Sequence, residues 1–162
     1  MDLILWRHAE AEMLRPEDVA AGADPYPLDL GRALTAKGER QAQRMAEWIN
    51  RRIAASTRVL VSPARRTRQT AEALGRPYKV VASLAPGATV EDVLQAARWP
   101  DASEPVLVVG HQPTLGLVAA HLLAGLDEHW SVKKGAVWWL RHRVRDGLSE
   151  VTLQAVQAPD LL

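Results

Sequence analysis

The chain opens with MDLILWRH (residues 1–8), an apolar run that ends on an arginine and a histidine. The run predicts a strand over residues 2–7 that is buried on both faces. Arg7 and His8 come at its end, where they add little to a hydrophobic core. A guanidinium beside an imidazole can instead hold an anion against a nucleophile. Arg7 and His8 are therefore the first candidate site residues.

Two further segments repeat this arrangement. The apolar residues 105–110 are followed by His111, and residues 58–61 are followed by Ser62 and an arginine-rich stretch that contains Arg66. Ligands of open α/β sheets bind beyond the carboxyl ends of the strands. We therefore expect the polar side chains after these three strands to converge at one edge of a sheet.

Strands and helices alternate along the chain, which predicts an α/β fold with a mostly parallel sheet, in one domain over residues 1–162. Thr35 is the expected N-cap of the first long helix, and Pro63 and Gly75 are expected to bound the second. Asp146-Gly147 is a turn signal in a final connection that we expect to be longer than two residues. The predicted strands are 2–7, 58–61, 78–81, 105–110, 136–140 and 151–156, and the predicted helices are 36–54, 63–74, 89–98 and 114–124.

Residues 11–33 are polar and contain Pro16, Pro25 and Pro27. They predict a long loop with at most one short helical turn. A loop of this length in a compact domain usually has a function.

Composition excludes several classes of function. The chain has 162 residues, a net charge of +1 and no cysteine, so thiol catalysis, disulfides and cysteine-ligated zinc are excluded. We see no signal peptide, no run of membrane-spanning length and no nucleic-acid-binding pattern. We expect a cytoplasmic monomer that binds neither membranes nor nucleic acids.

The segments around these candidates resemble the histidine phosphatase superfamily over residues 1 to about 155. The chain is short, and residues 84–87 stand where longer relatives carry extra helices, so it is most similar to the SixA-type phosphohistidine phosphatases. The resemblance implies a three-layer α/β/α sandwich of the phosphoglycerate mutase-like type. The matching motifs are Arg7-His8-Ala9, Leu34-Thr35-x-x-Gly38, Ser62-Pro63-x-x-Arg66-x-x-Gln69-Thr70-Ala71 and Gly110-His111-x-Pro113.

The resemblance also implies roles for the candidate residues. His8 would be the nucleophile, attacking phosphorus as a neutral ring whose other nitrogen bonds a backbone carbonyl. Arg7 and Arg66 would clamp the phosphoryl oxygens, and His111 would donate a hydrogen bond to the transferring group. Ser62 would bind phosphate or serve only as a helix N-cap. No metal or other cofactor is expected.

Arg66 is supported by a second argument. Arg65, Arg66 and Arg68 crowd the start of a helix, where the macrodipole disfavours cations by about 0.3–1 kcal/mol each. An anion bound there would offset that cost. The family motif selects Arg66 over Arg65. Ala9 is a departure from the usual glycine, and its Cβ is expected to restrict the backbone and crowd the phosphate.

The expected substrate follows from a missing acid. Residues 83–87 contain no carboxylate, and Glu91 and Asp92 read as ordinary first-turn helix residues. An alkyl ester needs a general acid more than a phosphohistidine does. We therefore expect a phosphohistidine in a protein as the substrate. Two alternatives stay open: a small-molecule phosphomonoesterase, with Glu10 or Glu12 as a possible acid, and a phosphate-binding regulatory module without hydrolysis.

Overall fold

A single six-stranded sheet organises the protein in a computed structural model that describes residues 1–162. Its strand order is β3-β2-β4-β1-β5-β6. The strands are β1 (Asp2–Arg7), β2 (Arg58–Val61), β3 (Lys79–Val80), β4 (Val106–Gly110), β5 (Val137–Arg145) and β6 (Leu148–Gln157). The helices are α1 (Tyr26–Leu30), α2 (Ala36–Asn50), α3 (Arg65–Glu72), α4 (Val90–Ala97) and α5 (Thr114–Ala124), with 3₁₀ turns at Pro16–Asp18, Ala82–Leu84 and Pro159–Leu161.

Helices cover both faces of this sheet. Ile4 and Trp6 of β1 pack with Met45 of α2 and Ala71 of α3 on one face. Leu3 and Leu5, the alternate residues of the same strand, pack with residues of α4 and α5 on the other face. A strand with both faces covered must be apolar throughout, which explains the continuous run in the sequence. The three-layer α/β/α prediction is confirmed.

The sheet is parallel where the candidate site residues are found. β3, β2, β4 and β1 are parallel neighbours, whereas β5 and β6 are antiparallel. Three of the five strand pairings are therefore parallel, which agrees roughly with the predicted sheet. Because the parallel strands run in one direction, their carboxyl ends lie at one edge. No helix has the length and apolar character needed to cross a membrane.

The α2 helix begins as the sequence predicted. The Thr35 hydroxyl caps it by accepting from the Gly38 backbone N–H at 2.9 Å. Its apolar face is buried against the sheet at Ala42, Met45, Ala46 and Ile49. A hydroxyl at the N-cap satisfies one of the free N–H groups of the first turn. This helix therefore fixes the end of the long loop that follows β1.

Three predicted details are wrong. The β5–β6 connection is only Asp146-Gly147, a two-residue turn with positive φ at both positions, because both strands extend beyond the body of the sheet. The α3 helix begins at Arg65 after an extended Ala64, so Pro63 lies outside it. The loop over residues 11–33 contains two short helical turns instead of at most one.

Gly38 provides a stability test of this arrangement. A Cβ on Gly38 would overlap the backbone carbonyl oxygen of Glu10, which cannot move without shifting the loop after β1. Gly38→Ala should therefore lower the free energy of unfolding by about 1–3 kcal/mol or more, measured by chemical denaturation. Gly31→Ala is the matched control, since its Cβ would meet the Leu28 and Pro27 carbonyl oxygens at 3.5 and 3.9 Å, which are ordinary contact distances. Equal losses in the two variants would contradict the close approach.

Candidate active site

The carboxyl ends of β1, β4 and β2 bring the predicted site residues together. Arg7 lies opposite Gly110 in the parallel pairing of β1 with β4. The His8 N–H donates to the Gly110 carbonyl at 3.1 Å, and the Ser62 N–H donates to the Val109 carbonyl at 3.1 Å. The rings of His8 and His111 consequently lie side by side, with their centroids 5.4 Å apart.

His8 is buried and held in one tautomer. Its Nδ1 lies 2.7 Å from the Ala9 carbonyl oxygen. A carbonyl only accepts, so Nδ1 carries the proton and Nε2 keeps its lone pair. Burial lowers the pKa of His8 to about 3, helped by the charges of Arg66 and Arg7 and opposed by the bond to Ala9. The ring is therefore neutral near pH 7, as a nucleophile must be.

Ala9 does not crowd the pocket. Its φ is not positive, and its side chain is fully buried in a small cluster with Ala11, Leu34 and Ala42. Its N–H donates to the Thr70 hydroxyl at 3.1 Å. The expected steric conflict is therefore absent, because the Cβ points into this cluster and Ala9 is not among the residues that line the pocket.

His111 is fixed by Ser62. Its Nε2 lies 2.7 Å from the Ser62 hydroxyl oxygen, which also accepts from the Ala64 N–H at 3.3 Å. His111 Nδ1 is buried without a partner in the protein. Burial lowers the pKa of His111 to about 2, followed by the interaction with the neighbouring His8 ring and by the charges of nearby arginines. The Ser62 side chain therefore meets His111 instead of lining the pocket.

The two predicted arginines are anchored at their terminal nitrogens. Arg7 Nη1 donates to the Val132 carbonyl at 2.8 Å, and Arg66 Nη1 donates to the Asp29 carbonyl at 2.8 Å. Arg66 is only 3% exposed, whereas its neighbour Arg65 is exposed. Burial lowers the pKa of both buried guanidinium groups, which remain charged because arginine does not deprotonate in proteins.

Unsatisfied polar atoms cluster among these residues. Five buried side-chain nitrogen or oxygen atoms have no partner in the protein, and three of them are Arg7 Nε, Arg66 Nε and His111 Nδ1. Buried polar groups are rarely left unpaired, so such atoms require an explanation. An anion between the two arginines and His111 would provide one.

The pocket at this edge has a volume of about 320 Å³. Arg7, His8, Arg66 and His111 all line it, and no carboxylate does. A groove of about 640 Å³ between α2 and α3 is larger but contains none of these four residues. The full lining of the smaller pocket is Arg7, His8, Ala11, Met13, Arg32, Arg66, Pro86, His111, Gln112 and Lys134.

Several residues of this pocket were not predicted from the sequence. Arg32 and Lys134 line the pocket, and Asp29 bonds both Arg32 and Arg66. Asp29 and Arg32 lie three residues apart in the long loop after His8. That loop was expected to have a function. A carboxylate three residues before an arginine within it was therefore the signal that could have identified this pair. Nothing in the sequence around Lys134 indicates its place.

The possible acids lie outside the pocket lining. The Glu10 carboxylate accepts from the Thr35 hydroxyl at 2.9 Å, and Glu10 and Glu12 line a neighbouring groove. Asp92 caps its own helix by accepting from the Thr89 N–H, and Glu91 is in the first turn of that helix. No three histidine or carboxylate side chains come together as a possible metal site.

Comparison with known proteins agrees with this fold. The sequence pattern of the histidine phosphatase superfamily (branch 1) matches residues 3–88, and the chain belongs to this superfamily. It is therefore a phosphatase by family, and it is similar to solved structures of SixA proteins.

One such structure, assigned to a phosphohistidine phosphatase SixA of Nakamurella multipartitia, is 27% identical, with a TM-score of 0.75 over 98% of this chain and 95% of that one. The protein histidine phosphatase SixA complexed with tungstate is 26% identical, with a TM-score of 0.73 over 99% of both chains. An uncharacterised protein of Picosynechococcus sp. is 34% identical over 149 residues, which are 87% of this chain and 85% of that protein.

The low pKa values of His8 and His111 predict how stability depends on pH. Both rings stay neutral in the folded protein but take up protons near pH 6.5 when unfolded. The unfolded state therefore binds more protons below pH 6.5, and stability should fall as the pH is lowered from 6.5 towards 3. Each histidine contributes up to about 1.4 kcal/mol per pH unit to this slope.

The measurement is the free energy of unfolding of wild type, His8→Asn and His111→Asn between pH 7 and pH 4.5. Each variant should have a shallower slope than wild type, because it lacks one group that gains a proton on unfolding. His121→Asn, which changes an exposed histidine, should keep the wild-type slope. Parallel slopes for all four proteins would contradict the neutral buried rings.

Proposed function

We propose that this protein removes phosphate from phosphohistidine in another protein, through a phosphohistidine intermediate on His8. The observation that carries the proposal is the buried, neutral His8 ring in a pocket with three guanidinium groups and no lining carboxylate. Such a pocket provides a nucleophile and positive charge but no carboxylic acid to serve as a general acid. That combination suits a phosphoryl donor with a good leaving group.

The reaction takes place in two steps. His8 Nε2 attacks phosphorus, the P–N bond to the substrate imidazole breaks, and the leaving imidazole keeps its electron pair and takes a proton from water. A water molecule then attacks the phosphoryl group on His8, which releases inorganic phosphate, restores the neutral ring and returns a proton to the hydroxide that the first step left. The P–N bond that forms to His8 in the first step is broken in the second, so the protein is unchanged overall.

Charge stabilisation comes from side chains fixed before the substrate binds. The Nε–H groups of Arg7 and Arg66 have no partner in the protein and can donate to the phosphoryl oxygens. Because the Ser62 hydroxyl accepts from Ala64 N–H, it can donate its own proton to His111 Nε2. His111 then carries its proton on Nδ1, which can donate to the same group. Ser62 is thus a positioning residue for His111.

A second candidate is a small-molecule phosphomonoesterase. One observation favours it: the groove that contains Glu10 and Glu12 shares Ala11, Met13 and Lys134 with the phosphate pocket. A carboxylate in this groove could protonate an ester oxygen if the substrate extended into it. The leaving group therefore distinguishes the two candidates.

The function is tested by comparing three substrates: a phosphohistidine protein, an aryl phosphate and a sugar phosphate. Phosphohistidine and aryl phosphate should react much faster than the sugar phosphate, because their leaving groups need no protonation by the protein. Quenching during turnover should trap acid-labile phosphate on wild type and none on His8→Asn. A sugar phosphate that is the best substrate, and whose hydrolysis Glu12→Gln abolishes, would support the second candidate instead.

The two adjacent arginines should differ sharply in their effect on catalysis. Arg66→Ala should cost about 2–4 kcal/mol in kcat/KM, the scale of one preorganised donor to developing charge. Arg65→Ala is the matched control, because Arg65 is exposed and does not line the pocket. Kinetics on an aryl phosphate measure both. Similar losses would contradict the assignment of Arg66 as a phosphate ligand.

A further inference from the structure

Asp29 lies between two of the arginines that line the phosphate pocket. Its Oδ2 accepts from Arg66 Nη2 at 3.2 Å, and its Oδ1 accepts from Arg32 Nε at 3.0 Å. Its backbone carbonyl also accepts from Arg66 Nη1 at 2.8 Å. Both terminal nitrogens of Arg66 are therefore bonded to this one residue, which fixes the plane of the guanidinium group.

The same network secures Arg32. Arg32 Nη1 donates to the Glu12 carbonyl at 2.9 Å while its Nε donates to Asp29. Arg32 and Arg66 both line the pocket, whereas Asp29 does not. Asp29 is thus well placed to act on a bound phosphoryl group through the arginines and poorly placed to contact it.

Electrostatics also require a counter-charge at this position. Burial lowers the pKa of Arg66, and the charge of Arg32 lowers it further, while Asp29 raises it. Two guanidinium groups this close repel each other in a partly buried site. A carboxylate between them opposes that repulsion, so both can face the same pocket. Since both its oxygens accept from guanidinium groups, Asp29 is also badly suited to be a proton donor.

We propose that Asp29 is a positioning residue of this phosphatase, holding Arg66 and Arg32 in the orientation in which they contact the transferring phosphoryl group. This inference rests on the proposed function, because it assigns Asp29 a part in phosphoryl transfer. The loop that follows the nucleophile then belongs to the catalytic apparatus, and the guanidinium groups are oriented before the substrate arrives.

The test is Asp29→Asn, which keeps the size of the side chain and removes its charge. With p-nitrophenyl phosphate as substrate, kcat should fall about 10- to 100-fold, the scale of a small misplacement of catalytic groups. The Kd for inorganic phosphate, measured by calorimetry, should change less than about threefold. For phosphate binding, the loss of positioning weakens the affinity, whereas the removal of a negative charge from an anion site strengthens it, so the two effects oppose each other.

Two control variants separate position from charge. Asp24→Asn removes the same charge from the same loop, where Asp24 accepts from the Tyr26 N–H and contacts no arginine. Its kcat should equal that of wild type. Asp29→Glu keeps the charge but moves the carboxylate by one methylene, so its kcat should fall as in Asp29→Asn. Thermal unfolding of each variant identifies any loss that is due to unfolding.

A double-mutant cycle shows whether Asp29 acts through Arg66. In an Arg66→Ala background, Asp29→Asn should lower kcat by much less than in wild type, because the guanidinium that it positions is gone. An equally large drop would overturn the inference. So would an Asp29→Asn protein with wild-type kcat and tighter phosphate binding, since Asp29 would then act only as a charge. If wild type hydrolyses no phosphorylated substrate, the proposed function fails and the inference fails with it.

Discussion

The parallel register of β1 against β4, with Arg7 opposite Gly110, is the constraint on which the whole site depends. It sets the two histidines that follow these strands side by side, with centroids 5.4 Å apart. A slip of one residue would turn every side chain of β1 to the opposite face. The register is secured because Leu3 and Leu5 fill one core while Ile4 and Trp6 fill the other. Hydrophobic packing thereby determines where His8 lies.

Burial then determines the chemical state of the site. His8 and His111 are buried where the strands end, and burial keeps both rings neutral. A neutral ring must be given its tautomer by a neighbour, and here Ala9 and Ser62 do so. As a consequence, the positive charges in the pocket repel one another, and several hydrogen-bond donors have no partner in the protein. An anion bound among these donors would pair them and oppose the repulsion between the cations.

The parts of the site that lie on strand ends could be predicted from the sequence. Apolar runs located β1, β2 and β4 closely, and the residue after each run identified Arg7, His8, Ser62 and His111. The Asp29–Arg32 pair could not be found in this way, because its position depends on how an irregular loop folds back over the pocket. The length of the last hairpin was also underestimated, since its outer half is polar and follows no burial pattern. Features that follow from burial, such as the strand ends, could therefore be predicted, whereas features that depend on loop geometry could not.

The proposed substrate fits a site without a general acid for a further reason. When the donor is a phosphohistidine, the attacking and leaving groups are both imidazoles, so the transfer exchanges one P–N bond for another of similar strength. Neither group then has to be much more basic than the other, and the pocket needs only to stabilise charge on the phosphoryl oxygens. Arg7, Arg66 and His111 can do this with fixed donors. For an alkyl ester, the same pocket would have to expel an alkoxide, and no carboxylic acid lines it to give that alkoxide a proton. The composition of the pocket therefore limits the leaving group more than it limits the size of the substrate.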